Sequence, residues 1–312
     1  MILTVTLNSA IDKVLLVDEF TPGLPMQAHK VVTSVGGKGL DAAVTLRHLG
    51  VETVGLAFVA GENGRQLAGL LESYGILPEL VWVDGETRIC YVIAESKTQR
   101  LSHIKVGELQ IGSQQFQQFL DTYKKRLAGA SWVICAGSIP PSLPGSFYGI
   151  LVQSASQAGV RVLVDGSQEA ILATLAYHPA IIKMNWEEFI WTFKKDSDSF
   201  EDLVSKARQV YSQQNLTSLI ITCGSRGILA FTQEGNFHAR APIQPVLNAA
   251  GAGDAVSAAL AWRLSLDDAW PAALKWAAAT AAAVVLTEGT ADCRLRDVQA
   301  IYPNTVVEPL SV

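Results

Sequence analysis

The strongest constraint on the fold is a rhythm in which short apolar runs alternate with Gly-bearing loops and amphipathic segments. The runs ILTVTL (2–7), VETVGLAFV (51–59), SWVICA (131–136), VRVLVD (160–165), AIIKM (180–184) and SLIITC (218–223) are nearly all apolar or β-branched. Segments 38–49, 63–74, 113–128, 145–158 and 199–213, lying between many of them, carry helical periodicity. Strands buried on both faces and separated by helices describe a parallel sheet in an α/β layer fold. Hydrophobic residues make up 49% of the 312 positions and charged residues 17%, so the chain can bury a large core. We therefore expect one α/β domain over 1–312.

Two stretches break the rhythm. Residues 12–33 and 80–106 lack helical periodicity and are rich in Val, Ile, Thr and Tyr, as in LVWVDGETRICYVIAE. They predict a small second sheet inserted into the main domain, which could close over a substrate as a lid. An edge extension of the main sheet is the alternative. Beyond Gly253 the pattern turns helical, over 253–266 and 272–286, with Pro271 near the start of the second helix.

Composition removes several function classes. The formal net charge is −5 and no Lys/Arg-rich run occurs, which argues against nucleic acid as the main partner. The four cysteines are far apart without a CxxC pair, and the five histidines are scattered, so a zinc site has no support. No basic flank or cleavage site precedes the opening strand, and Ala277 to Leu286 is too short to span a bilayer. A cytoplasmic protein without a membrane partner is the expectation.

The chemistry concentrates in two glycine motifs. Asn248-Ala-Ala-Gly-Ala-Gly-Asp254 precedes a helix. Gly251 and Gly253 permit a tight turn, and the helix start directs N–H groups and its positive dipole end at the same point. An aspartate there is ordinarily an N-cap. In phosphoryl transfer, however, a carboxylate accepts the acceptor hydroxyl's proton while donors neutralise the phosphoryl oxygens, and GAGD supplies both. The helix N-terminus is expected to keep Asp254 ionised at neutral pH. The second motif, Val35-Gly-Gly-Lys-Gly-Leu-Asp41, also opens a helix. It matches neither the GxxxxGK[ST] phosphate loop nor the GxGxxG dinucleotide fingerprint.

Together GGKG and AAGAGDA resemble the two signatures of the ribokinase-like (phosphofructokinase-B) carbohydrate kinases. The opening TLNSAID is similar to the start of the 1-phosphofructokinase and tagatose-6-phosphate kinase branch, and ETRICYVI, AGSIPPSLP, IIKMNWEEF and ITCGSRGILAF follow in that branch's order. The resemblance implies a three-layer α/β/α, Rossmann-like core with a β-sheet lid, and homodimers through that lid. It implies ATP and Mg²⁺ as cofactors and leaves room for a monovalent cation beside the ATP loop.

The resemblance also assigns roles. Asp254 would be the catalytic base, with the backbone N–H groups of Gly251, Ala252 and Gly253 forming the anion hole. Asp12, Gly36, Gly37, Lys38, Asp41, Arg88 and Ser138 would bind the sugar, Arg88 holding a phosphate already on it. Lys183, Asn185, Thr222, Gly224, Ser225 and Gly227 would bind the nucleotide, and Glu188 would serve Mg²⁺ through water. Without the resemblance, Asp12 reads equally as a turn residue, Arg88 as a solvated edge residue and Glu188 as helix-face charge. Two positions depart from the branch. Asp41 stands where it usually has asparagine, and as a carboxylate it could accept but not donate while adding negative charge. Near Met26-Gln27-Ala28 the usual basic lid residue is missing, and His29, Lys30 and Lys105 are candidates to compensate.

The implied activity is ATP-dependent phosphorylation of a ketohexose phosphate, foremost fructose 1-phosphate. Tagatose 6-phosphate, fructose 6-phosphate, and an unphosphorylated sugar or nucleoside are alternatives. A sugar- or nucleotide-binding regulator on the same fold would not need Asp254, and a dehydrogenase would need the absent GxGxxG.

Overall fold

The apolar runs become strands because each can bury both of its faces. The computed structural model describes residues 1–98 and 100–310. Its strands are β1 (Ile2–Thr6), β2 (Ala10–Val17), β3 (Lys30–Gly36), β4 (Thr53–Val59), β5 (Leu77–Trp82), β6 (Asp84–Gly85), β7 (Arg88–Glu95), β8 (Leu101–Val106), β9 (Leu109–Gln110), β10 (Trp132–Ala136), β11 (Arg161–Asp165), β12 (Ile181–Asn185), β13 (Ser218–Thr222), β14 (Ile228–Thr232), β15 (Gly235–Arg240) and β16 (Val306–Pro309). The helices are α1 (Lys38–His48), α2 (Gly61–Ser73), α3 (Ser113–Leu127), α4 (Phe147–Gln157), α5 (Glu169–Leu172), α6 (Trp186–Phe193), α7 (Phe200–Gln213), α8 (Ala252–Leu264), α9 (Trp270–Val284) and α10 (Leu295–Ile301).

Among the described residues the main sheet has ten strands in the order β16-β15-β14-β13-β12-β11-β10-β1-β4-β5. From β13 to β5 the neighbours pair in parallel, and β14 to β16 continue the sheet antiparallel. Alternation along each strand divides the core in two. Leu3, Val5, Val133 and Cys135 face one apolar cluster, packed by α3, α4 and α7. Ile2, Trp132, Ile134 and Ala136 face the other, packed by α1, α8 and α9. The outcome is a three-layer α/β/α arrangement.

A separate sheet, ordered β3-β2-β7-β8, draws on the two strand-rich stretches. Its limits differ from the sequence reading. Residues 80–82 end β5, which pairs with β4 at the edge of the main sheet rather than joining the second sheet. At the other stretch the pairing runs further out, to Ala10 opposite Gly36. Residues 18–29 form no strand. No helix among the described residues is long and apolar enough to cross a membrane.

Candidate active site

In an open parallel sheet the loops at the strands' carboxyl ends diverge where the connections change direction, and ligands bind there. Chain order reverses between β10 and β1 in this sheet. A cleft of ≈ 850 Å³ lies at that place, lined by Asn8 after β1, Gly137 and Ser138 after β10, and Gly166 after β11. The second sheet supplies Asp12, Arg88, Cys90, His103 and Lys105 to its wall. A second cleft of ≈ 550 Å³ is lined by Thr222, Gly224, Ser225 and Gly227 at the β13–β14 turn. The two share Asn185 and Ala249.

The head of α8 sits between them. Gly251 and Asp254 line the first cleft, whereas Ala252 and Gly253 line the second. Gly251 adopts φ +82°, and a Cβ there would stand 2.4 Å from the backbone nitrogen of Ala291, so the turn excludes any other residue. The first-turn N–H groups of a helix have no intrahelical partner and favour an anion. Ala252 N–H is an exception to the expected anion hole, since it leans back to Ala249 O at 3.3 Å. Asp254 is buried, and burial, reinforced by Asp165, pushes its carboxyl up to about 7 against the pull of Lys38 and Lys183. The expectation that the helix end keeps Asp254 ionised at neutral pH is corrected: lost hydration outweighs the helix end and leaves the group titrating near neutral pH.

Beneath this point lies a closed ionic network. Asp165, at the end of β11 and fully buried, accepts from Lys38 Nζ at 3.0 Å, Lys183 Nζ at 2.5 Å and Ser257 Oγ at 2.9 Å. Burial works against its ionisation, yet Lys183 and Lys38 hold it down to about 2. Lys38 also reaches Glu188 Oε1 at 2.7 Å, and the flanking carboxylates raise its own pKa despite burial. Glu188 and Asn185 form a capping box at the start of α6: Asn185 Oδ1 accepts Glu188 N–H at 2.7 Å, and Glu188 Oε2 accepts Asn185 N–H at 2.9 Å. Among the described residues no three His, Cys, Asp or Glu side chains form a metal cage. Mg²⁺ needs none, because it keeps waters and binds through one or two carboxylates together with phosphates. Glu188, on the wall of the first cleft, fits such a water-mediated role.

At the far end of the first cleft, Asp12 Oδ2 accepts Thr290 Oγ1 at 2.9 Å. Burial raises Asp12 to about 6, with Thr290, Arg88 and Lys105 opposing. Gly36 lies against it, and a Cβ there would come 2.2 Å from Asp12 Oδ1. Arg88 donates to Asn8 O through Nη2, while its buried Nε has no partner. Across the second sheet Asp12 pairs in register with Cys90, and Cys90 with Lys105, which places Lys105 on the face that carries Asp12. Of the three candidates for the missing lid cation, His29 pairs with Asp18 at 3.1 Å and Lys30 with Glu288. Lys105 alone of the three lines the cleft.

Most residues singled out in the sequence thus converge on the joined clefts. Two stand behind the wall instead: Gly36, packed under Asp12, and Lys183, 2% exposed and ion-paired. Sequence reasoning missed Asp165, Thr290 and Arg226, whose guanidinium lies 4.2 Å from the Trp186 ring centroid beside the second cleft. For Asp165 a signal existed, a carboxylate closing an otherwise apolar strand run. Thr290 carries no local signal at all.

A mostly parallel sheet that presents a buried carboxylate and a helix N-terminus between two clefts suits phosphoryl transfer to an alcohol. Comparison with known proteins is narrower. The profile of the pfkB family carbohydrate kinases matches residues 1–297, and the chain belongs to that family. It is 30% identical over 285 residues to a 1-phosphofructokinase of Bacillus subtilis (strain 168), covering 90% of this chain and 92% of that one. A D-tagatose-1-phosphate kinase of Bacillus licheniformis is 26% identical over 292 residues, 94% of this chain and 95% of its own. A solved structure from Thermotoga maritima, described as a possible 1-phosphofructokinase, superposes with a TM-score of 0.90 at 25% identity over 99% of both chains. The phosphofructokinase-2 of Escherichia coli, solved with potassium, shares the fold at a TM-score of 0.87 and 23% identity, over 97% of this chain and 98% of that one. Membership of this kinase family implies ATP and typically Mg²⁺.

Proposed function

We propose that this chain transfers the γ-phosphoryl group of ATP to a hydroxyl of a ketohexose 1-phosphate, foremost fructose 1-phosphate. The observation that carries the reading is the split of one helical turn between two clefts. Ala252 and Gly253 face the cleft with the β13–β14 turn, where the nucleotide phosphates would lie, and Asp254 faces the cleft of the acceptor. With a pKa of about 7, Asp254 is poised near neutral pH, where a general base best combines ionised form and proton affinity. Its carboxylate takes the acceptor hydroxyl's proton as the oxygen attacks the γ-phosphorus. The bond to the β–γ bridging oxygen breaks, and ADP leaves. The N–H groups at the head of α8 and Lys38 meet the charge on the moving phosphoryl oxygens. Glu188 would hold Mg²⁺ through water, and the ion would supply further charge neutralisation when bound.

Arg88 and Lys105, cations on the acceptor cleft that enter no ion pair among the described residues, support a substrate that already bears a phosphate. The names of the Bacillus relatives point the same way and favour the 1-phosphate over the 6-phosphate. On the outer face of the second sheet, Val31, Ile104 and Val106 are more than half exposed, which supports a homodimer through that sheet.

The test is ADP release with MgATP across fructose 1-phosphate, tagatose 1-phosphate, fructose 6-phosphate, fructose, ribose and adenosine. A ketohexose 1-phosphate should be preferred, and Arg88→Ala should raise its KM by about 10–100-fold with little effect on free fructose. Equal losses for phosphorylated and free sugars would remove Arg88 from the phosphate grip.

A further inference from the structure

Asp41 and Asp165 are both buried carboxyls of the same site, and their surroundings are opposite. Asp165 has two ammonium groups and a hydroxyl. Asp41 is 5% exposed, and among the described residues it enters no ion pair. Its Oδ1 is buried without a hydrogen-bond partner, although the side chain lines the acceptor cleft. An unpaired carboxylate costs several kcal/mol or more to bury, and such groups commonly neutralise instead. The groups acting on Asp41 reinforce this. Asp12 on β2 and Asp254 on α8 oppose its ionisation, after burial itself, while the Gly37 backbone and Lys38 favour it more weakly. Cys90 on β7 and Tyr74 beyond α2 are further titratable neighbours. The balance places Asp41 well above the ordinary carboxylate range.

We propose that Asp41 works as a neutral carboxylic acid that donates a hydrogen bond to an uncharged oxygen of the acceptor sugar. In that form it does the work of an amide N–H and adds no negative charge beside a phosphorylated substrate. The inference rests on the acceptor-cleft reading above but not on which sugar fills the cleft. It makes Asp41 a specificity residue that wants an oxygen acceptor at its position, so a deoxy sugar lacking that oxygen is discriminated against. A site whose buried polar group is left unpaired rejects such analogues strongly.

Two measurements test it. Infrared spectra of the sugar-free enzyme at about pH 8 lie above the titration of Asp12 and Asp254. A protonated-carboxyl C=O band should be present there and should vanish in Asp41→Asn. With whichever acceptor is turned over, Asp41→Ala should lower kcat/KM by about 10–100-fold, and Asp41→Asn should restore most of that loss. Only the wild type should show an alkaline fall in kcat/KM that Asp41→Asn abolishes. Absence of the band, or an Asn variant as impaired as the Ala variant, overturns the proposal. If Asp41→Ala fails to fold, the band in wild type against Asp41→Asn decides alone. Because the spectra need no sugar, a failed substrate panel would not be confused with failure here.

Discussion

The two ends of the joined clefts solve the problem of buried charge in opposite ways. Below the head of α8, every charge of the Lys38–Asp165–Lys183–Glu188 network has a counter-charge within 3.0 Å. In the first cleft, Asp12, Asp41 and Asp254 enter no ion pair among the described residues, and burial raises all three. The paired end fixes geometry, since its charges already partner one another before anything binds. The unpaired end is left open to a substrate, whose hydroxyls can partner these carboxyls. The contrast teaches that burial alone does not set a carboxylate's state, because Asp165 and Asp254 are both buried in one site and titrate far apart.

Removing the proposed base should have the largest effect. Asp254→Asn should lower kcat by about 10²–10⁴-fold, read by ADP release, while ATP binding is retained. Its stability effect should run the other way. An unfolded aspartate titrates near 3.8 and Asp254 near 7, so between those pH values the folded state keeps a proton that the unfolded chain has lost. Stability contributed by the group therefore falls as pH rises through that window, and the full cost is present above it. Asp254→Asn should accordingly raise Tm above pH 7, and wild-type kcat/KM should rise as pH approaches about 7 from below. A variant that melts lower at all pH values would erase the contrast.

Breaking the paired end should cost stability first. Asp165→Asn leaves Lys183 and Lys38 without their shared counter-ion and should lower the unfolding free energy by about 3–5 kcal/mol, measured by denaturant titration. The smallest effect sharpens the same point. Ser257→Ala removes one hydroxyl donor from Asp165 but leaves both lysines, and should cost about 1.5–3 kcal/mol.

Much of the architecture was legible because a parallel strand must be apolar on both faces, and all six predicted runs are strands of the main sheet. Strand β15 and the terminal β16 escaped notice. They are half exposed, so they carry no continuous apolar run. Residues 80–82 were misplaced because Val-rich composition marks a strand without saying which sheet it joins. At the site, GAGD and GGKG were readable, since glycine spacing is local. Asp165 looked like the tail of a strand, and its meaning lies in Lys38, Lys183 and Ser257, which come from three other elements. The ionisation of Asp254 was misjudged for a related reason: a helix dipole is visible in sequence, whereas the burial that overrides it is assembled from the whole chain.

Ala252, Gly253 and Asp254 lie in the first turn of α8, just after its N-cap Gly251, and successive residues around a helix differ in direction by about 100°. The division of labour between the two clefts is therefore a matter of angular phase. Adding or deleting a single residue at this point would rotate the carboxylate out of the first cleft while leaving composition and charge nearly unchanged. This turn works as a gear tooth whose pitch cannot drift.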